Sequence, residues 1–194
     1  MKKLSVFCMV GFFLLVNINI GFAKKYYNTP FLEKVERKPA VETDTNIVVD
    51  KKGVYKDRLI SIAWNPKPLG FYFELTNESG STVSILWDEC YLENSLTKYA
   101  IVHSGIKDIR VLPPTSIAPQ KKIKDFIYPA AFARYVQGRY TEMRYKTIYK
   151  EKVKKKVIAA NSFTPERFIA ILSLKAGDDY YTYTFHFKTE LVEK

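Results

Sequence analysis

From about residue 54 the chain alternates apolar and polar positions with a period of two, the spacing of half-buried strands. In residues 59–64, Ile60, Ile62 and Trp64 fall on one face. Next, Phe71, Phe73 and Leu75 alternate with Tyr72, Glu74 and Thr76, and Val83, Ile85 and Trp87 alternate with Thr82 and Ser84. Turn compositions at 65–70 and 77–80 separate these runs. Residues 99–103 supply another strand, and 106–112 are a further candidate. A short strand begins at 117–119, where Pro119 confines it to an edge or an end. Towards the C-terminus, 168–174 is an apolar strand and 176–179 a hairpin turn. Residues 180–188 then place Tyr181, Tyr183, Phe185 and Phe187 on one face. Only 129–138 offers a candidate helix.

Many short strands spaced by turns predict an all-β fold. The expectation is one domain over 49–194, an immunoglobulin-like antiparallel β-sandwich with a basic β-rich insertion at about 131–163. A β-barrel is the alternative. Residues 24–48 carry alternating charges without apolar periodicity, and Pro30 and Pro39 break any helix. They predict an extended N-terminal arm.

Residues 1–23 read as a signal peptide. Lys2 and Lys3 precede an apolar run from Val6 to Val16, and Gly21-Phe22-Ala23 puts small residues where a signal peptidase reads. The expected location is therefore periplasmic or extracellular after cleavage, with membrane anchoring by an uncleaved N-terminus as the alternative. Cys8 leaves with the signal peptide, so Cys90 has no intramolecular partner and its apolar-aromatic setting predicts burial.

A longer pattern adds to this. The chain has Gly70-Phe71-Tyr72-Phe73-Glu74-Leu75-Thr76-Asn77-Glu78-Ser79, then Val83-Ser84-Ile85-Leu86-Trp87-Asp88, then Val102-His103-Ser104-Gly105-Ile106. Ile117-Ala118-Pro119 and Asp125-Phe126-Ile127-Tyr128-Pro129 follow. This run, over about residues 59–129, resembles a pattern in a group of uncharacterised exported bacterial immunoglobulin-like β-sandwich proteins, many of them lipoproteins. The resemblance implies the fold and an envelope location, and it implies no activity. A lipidation cysteine in the right context is missing here.

Charge sharpens the picture. The whole chain carries +11, and loss of residues 1–23 leaves +9. From Arg134 to Lys156 there are nine basic residues against Glu142 and Glu151. The candidate binding residues are Arg134, Tyr135, Arg139, Tyr140, Arg144, Tyr145, Lys146, Tyr149, Lys150, Lys152, Lys154, Lys155 and Lys156. Met143, Tyr145, Thr147, Tyr149 and Val153 alternate with Arg144, Lys146, Lys150, Lys152 and Lys154, which predicts a long strand with an aromatic and a cationic face. Such a surface suits an envelope protein partner, or an anionic envelope surface of headgroups or glycans. Export argues against intracellular nucleic acid.

Site chemistry is sparse in sequence. His103, Asp88 and Cys90 form no metal-ligand spacing, and no nucleophile elbow or phosphate loop occurs. No cofactor and no catalytic residue is expected. The sequence predicts a non-enzymatic binding or structural protein. Asn77-Glu78-Ser79 matches a glycosylation acceptor but reads more simply as a turn.

Overall fold

The computed structural model describes residues 25–39, 48–50, 53–104, 106, 108, 110, 112–136, 139–142, 147–153 and 163–193. The signal peptide expected over 1–23 lies outside them. Among the described residues, no helix is long and apolar enough to cross a membrane.

The strands, in chain order, are β1 (Tyr26–Lys38), β2 (Val48–Asp50), β3 (Val54–Lys56), β4 (Ile60–Lys67), β5 (Gly70–Asn77), β6 (Val83–Ile85) and β7 (Tyr91–Asn94). They continue as β8 (Lys98–His103), β9 (Thr115–Ile117), β10 (Lys122–Pro129), β11 (Ala133–Val136), β12 (Arg139–Glu142), β13 (Arg167–Ala176) and β14 (Asp179–Glu193). Short 3-10 turns occupy Trp87–Glu89 and Ala130–Phe132. Twelve strands form one antiparallel sheet in the order β1-β14-β13-β7-β8-β10-β5-β4-β3-β2, with β6 on β13 and β9 on β6. The two ends of this path, β1 and β2, return against each other. The sheet is thus nearly barrel-shaped. The all-β expectation holds and the barrel alternative fits, whereas the two-sheet immunoglobulin-like sandwich is not confirmed.

The joint that makes one sheet rather than two is β8. Its first half pairs with β7 through Lys98, Tyr99 and Ala100, and its second half with β10 through Ile101, Val102 and His103. Alternation along β8 and β10 then feeds two cores. Ile101 and Ile127 face the main core, while Val102, Phe126 and Tyr128 form a smaller cluster on the other face, packed against Leu69, Leu112, Ala130 and Ala133. In the main core the Trp64 ring meets Phe71, Phe73, Phe185 and Phe187 at centroid distances of 5.1–5.8 Å. Each such pair adds about 0.5–1.5 kcal/mol beyond the area it buries.

Several local expectations change. The segment expected to be a free arm is, over Tyr26–Lys38, a strand paired along almost its whole length with β14. A bulge between Leu32 and Lys34 bends it, and Pro30 is accommodated because β1 lies at the end of the sheet. The strand β4 runs through the expected turn to Lys67, which pairs with Gly70, leaving Pro68 and Leu69 as a two-residue hairpin loop. Gly70 is required there, since a Cβ would press on the Ile127 carbonyl and sit 2.6 Å from the Phe126 ring. The candidate helix at 129–138 is a single 3-10 turn followed by β11. The described residues of 106–112 are not in a strand.

Candidate functional site

The basic insertion begins as a hairpin. The strands β11 and β12 pair only with each other, Tyr135 opposite Tyr140 and Arg134 opposite Thr141. The long strand expected over 143–154 begins beyond this hairpin, and its described part, residues 147–153, carries only an isolated bridge at Lys152. Arg134 is exposed. Arg144, Tyr145, Lys146, Lys154, Lys155 and Lys156 lie outside the described residues.

Residues 147–153 form a strap over the sheet. Ile148 N–H donates to the Pro68 carbonyl (2.6 Å), Asn28 N–H to Glu151 (2.7 Å) and Val153 N–H to Tyr26 (3.1 Å). An isolated bridge joins Tyr27 and Lys152. The strap thereby ties β1 to the β4–β5 hairpin. Lys150 and Lys152 are exposed, as a contact surface needs. Tyr149 is buried in the main core and stacks on Phe168 at 5.7 Å. Burial, then the Glu151 and Glu166 charges, push its hydroxyl pKa up. Tyr149 therefore anchors the strap, so this candidate contact residue faces the core and not a partner.

At the other closure lies a polar cluster that sequence reasoning missed. Asp57, 4% exposed, follows β3. Its Oδ2 accepts from Arg37 Nη1 (2.7 Å), Tyr55 Oη (2.9 Å) and Tyr183 Oη (2.8 Å), and its Oδ1 from the N–H groups of Leu59 and Ile60 (both 2.8 Å). Burial would lower the Arg37 pKa, but the Tyr183 and Asp57 oxygens outweigh it and the guanidinium is held above its ordinary value. Burial and Asp57 together push the Tyr183 hydroxyl up. The cluster joins β1, β3 and β14. The only sequence signal was an aspartate two residues before an apolar run, which also reads as an ordinary turn.

A third cluster surrounds His103, whose ring stacks on Trp87 at 4.4 Å and 10°. His103 Nδ1 lies 3.0 Å from Asp125 Oδ2, and Asp125 Oδ1 accepts from Ser104 Oγ (2.5 Å), Ser104 N–H (3.1 Å) and Phe126 N–H (2.7 Å). Burial pushes the Asp125 carboxyl up, yet the bonds from His103, Ser104 and Phe126 outweigh it and hold it below the ordinary carboxylate range. Ser104 gives its proton to the carboxylate and not to the imidazole, so it is not poised as a nucleophile with His103 as base. A groove of about 520 Å³ beside this cluster is lined by Asn65, Tyr72, Glu74, Lys124 and Phe126. Its charges are paired: Lys122 and Lys124 bond Glu74 at 2.8 and 2.9 Å and hold its carboxyl low.

The remaining candidates resolve simply. Cys90 is buried and free, its thiol donating to the Leu86 carbonyl at 3.2 Å. Burial pushes its pKa up to about 12, so it stays an unreactive thiol. Among the described residues no group of three His, Cys, Asp or Glu could hold a metal ion. Asn77 is fully buried, bonding Ser79, Ser81 and Ile117 with both ends of its amide, which makes the Asn-Glu-Ser match a turn. No family model, curated protein or solved structure matches this chain.

Proposed function

We propose that the chain is an exported, non-enzymatic binding protein of the bacterial cell envelope, acting through protein–protein contacts made by its basic, Tyr-rich insertion. In this reading it is released to the periplasm or beyond by signal-peptide cleavage. The observation that carries the proposal is the β11–β12 hairpin, a two-stranded sheet hydrogen-bonded apart from the main one. Arg134 on it and Lys150 and Lys152 after it are exposed. A charged hairpin whose strands pair only with each other can engage a partner without breaking the main sheet. The concentration of charge, nine basic against two acidic residues over 134–156, favours one second reading, an anionic glycan or headgroup surface.

The test is capture from an envelope fraction by the wild-type protein and by a variant carrying Arg134→Glu, Lys150→Glu and Lys152→Glu. Capture of a discrete acidic protein by the wild type and its loss in the variant are expected. Unchanged capture by the variant overturns the assignment. Salt separates the two readings, because binding to a polyanion falls linearly in log K against log salt with a slope set by the charges neutralised.

A further inference from the structure

The outer face of β4, β5 and β10 carries the groove of about 520 Å³, which is open to solvent. Strand register sets two rows of side chains across it. Asn65, Tyr72 and Phe126 form one row, and Ala63, Glu74 and Lys124 the next. Tyr72 is 49% exposed, although its ring stacks on Phe126 at 4.3 Å. One side of the ring is thus backed and the other is free. Phe126 is itself buried, and its ring lies over Gly70, which has no Cβ to displace it. The tyrosine ring is therefore a fixed, accessible platform in the groove.

Polar groups with unused capacity surround it. Asn65 is exposed, and neither its side-chain amide nor the Tyr72 hydroxyl bonds another described residue. Glu74 takes one lysine on each oxygen, Lys122 at 2.8 Å and Lys124 at 2.9 Å. An ammonium has three donors and each carboxylate oxygen more than one lone pair, so both sides of this pair can still bond a ligand. Donors and acceptors thus stand side by side next to an aromatic face.

We propose that this groove binds an uncharged oligosaccharide, with one pyranose ring flat on Tyr72. The C–H face of the sugar covers the free side of the tyrosine ring. Its hydroxyls, each both donor and acceptor, reach Asn65 and the Glu74–Lys124 pair, which lies two residues further along the strands, about 7 Å away. Glu74 and Asp125 line the groove together with Lys124. A phosphate or carboxylate would gain from one of these charges and be repelled by two, which sets aside a nucleotide or an acidic sugar. A purely apolar ligand would stay half in water in so open a groove, whereas a sugar keeps its outer hydroxyls hydrated. The site shares no residue with the basic insertion and does not depend on its role.

The experiment titrates the whole protein with cellotetraose, a flat neutral glucan, by calorimetry. Sorbitol has the hydroxyls without the ring, and tetragalacturonate has the rings with a charge on each; both serve as comparisons. Cellotetraose is expected to bind with a Kd below about 1 mM and at least about tenfold more tightly than either comparison. Tyr72→Ala should weaken binding at least about tenfold, and Tyr72→Phe, which keeps the ring, should stay within about threefold of the wild type. Asn65→Ala, an exposed change that leaves the platform in place, should weaken binding about threefold to tenfold. The variant with Arg134→Glu, Lys150→Glu and Lys152→Glu should bind the sugar like the wild type, so this site and the basic insertion stand or fall separately. The proposal is overturned by absence of heat at about 10 mM cellotetraose, or by comparable affinity for either comparison. It is equally overturned by a folded Tyr72→Ala or Asn65→Ala that binds like the wild type, or by loss of binding in the triple variant.

Discussion

Asp57 concentrates more of the polar energetics of this protein in one side chain than any other described residue. It sits where the sheet returns on itself, and it is fully enclosed with Arg37, whose side chain is 7% exposed. A buried pair of this kind is a weak source of net stability when intact, because both ions lose their water. Removing one partner is different, since the other charge stays behind uncompensated. Arg37→Met, which keeps the stem and loses the charge, should therefore lower unfolding stability by about 3–5 kcal/mol. Tyr183→Phe removes one bond to the carboxylate and should cost about 2 kcal/mol. Urea denaturation measures both, and a loss below about 1 kcal/mol for Arg37→Met would show that Asp57 is held well enough by its other four donors. Asp125 makes a second residue-scale prediction, this time through pH. Its carboxyl pKa is lowered in the folded state, so the unfolded chain binds the proton more readily. Its contribution is full above the ordinary carboxylate value near 4, and it is lost as pH falls through the lower folded value. Asp125→Asn should flatten that acid limb of the stability curve while lowering stability at neutral pH. An acid limb identical to the wild type would mean that other carboxylates set it.

At the scale of elements, the strands were legible wherever one face is buried and the other wet. Phe71, Phe73 and Leu75 on β5, and Tyr183, Phe185 and Phe187 on β14, are all buried as their alternation predicts. Their ends were less legible. Asn65 and Pro66 have turn composition, yet they stay in β4 because an edge of that strand tolerates a missing N–H. The largest element missed was β1. Its inward positions are Asn28 and Leu32, and the bulge after Leu32 shifts the face by one, so no clean period of two survives in its sequence. Its partner β14 supplies the apolar contact that β1 lacks. In the insertion the alternation agrees with the described residues, since Tyr149 reaches the core while its neighbours Lys150 and Lys152 stay in water, but the strap carries an isolated bridge rather than the strand that the alternation predicts. Of the polar clusters, His103 was legible as a strand residue. Its link to Asp125 across 22 positions was not, because pairing of β8 with β10 is a long-range contact that local pattern does not encode.

For the molecule as a whole, the question is how a twelve-stranded sheet nearly closes when the strands that meet, β1 and β2, belong to opposite ends of the order. Two seams do it, and they differ in strength. One is the buried Arg37–Asp57–Tyr183 cluster, which ties β14 and β1 to the turn after β3. The other is the strap, fixed by Tyr149 in the core and by three backbone bonds to Tyr26, Asn28 and Pro68. The first seam is charge-assisted and dry. The second lies beside a cavity of about 480 Å³ and carries exposed lysines. Opening it separates few apolar contacts besides those of Tyr149, so it should open at a free energy well below that of global unfolding. Native-state hydrogen exchange measures this directly. The amides of Ile148 and Val153, and of Asn28 on the facing strand, should exchange at least about tenfold faster than those of Leu172 and Phe185 in the β13–β14 pair. Equal protection of strap and sheet would show that the two seams open together, and the barrel would then be closed by one cooperative unit rather than by a lock and a strap.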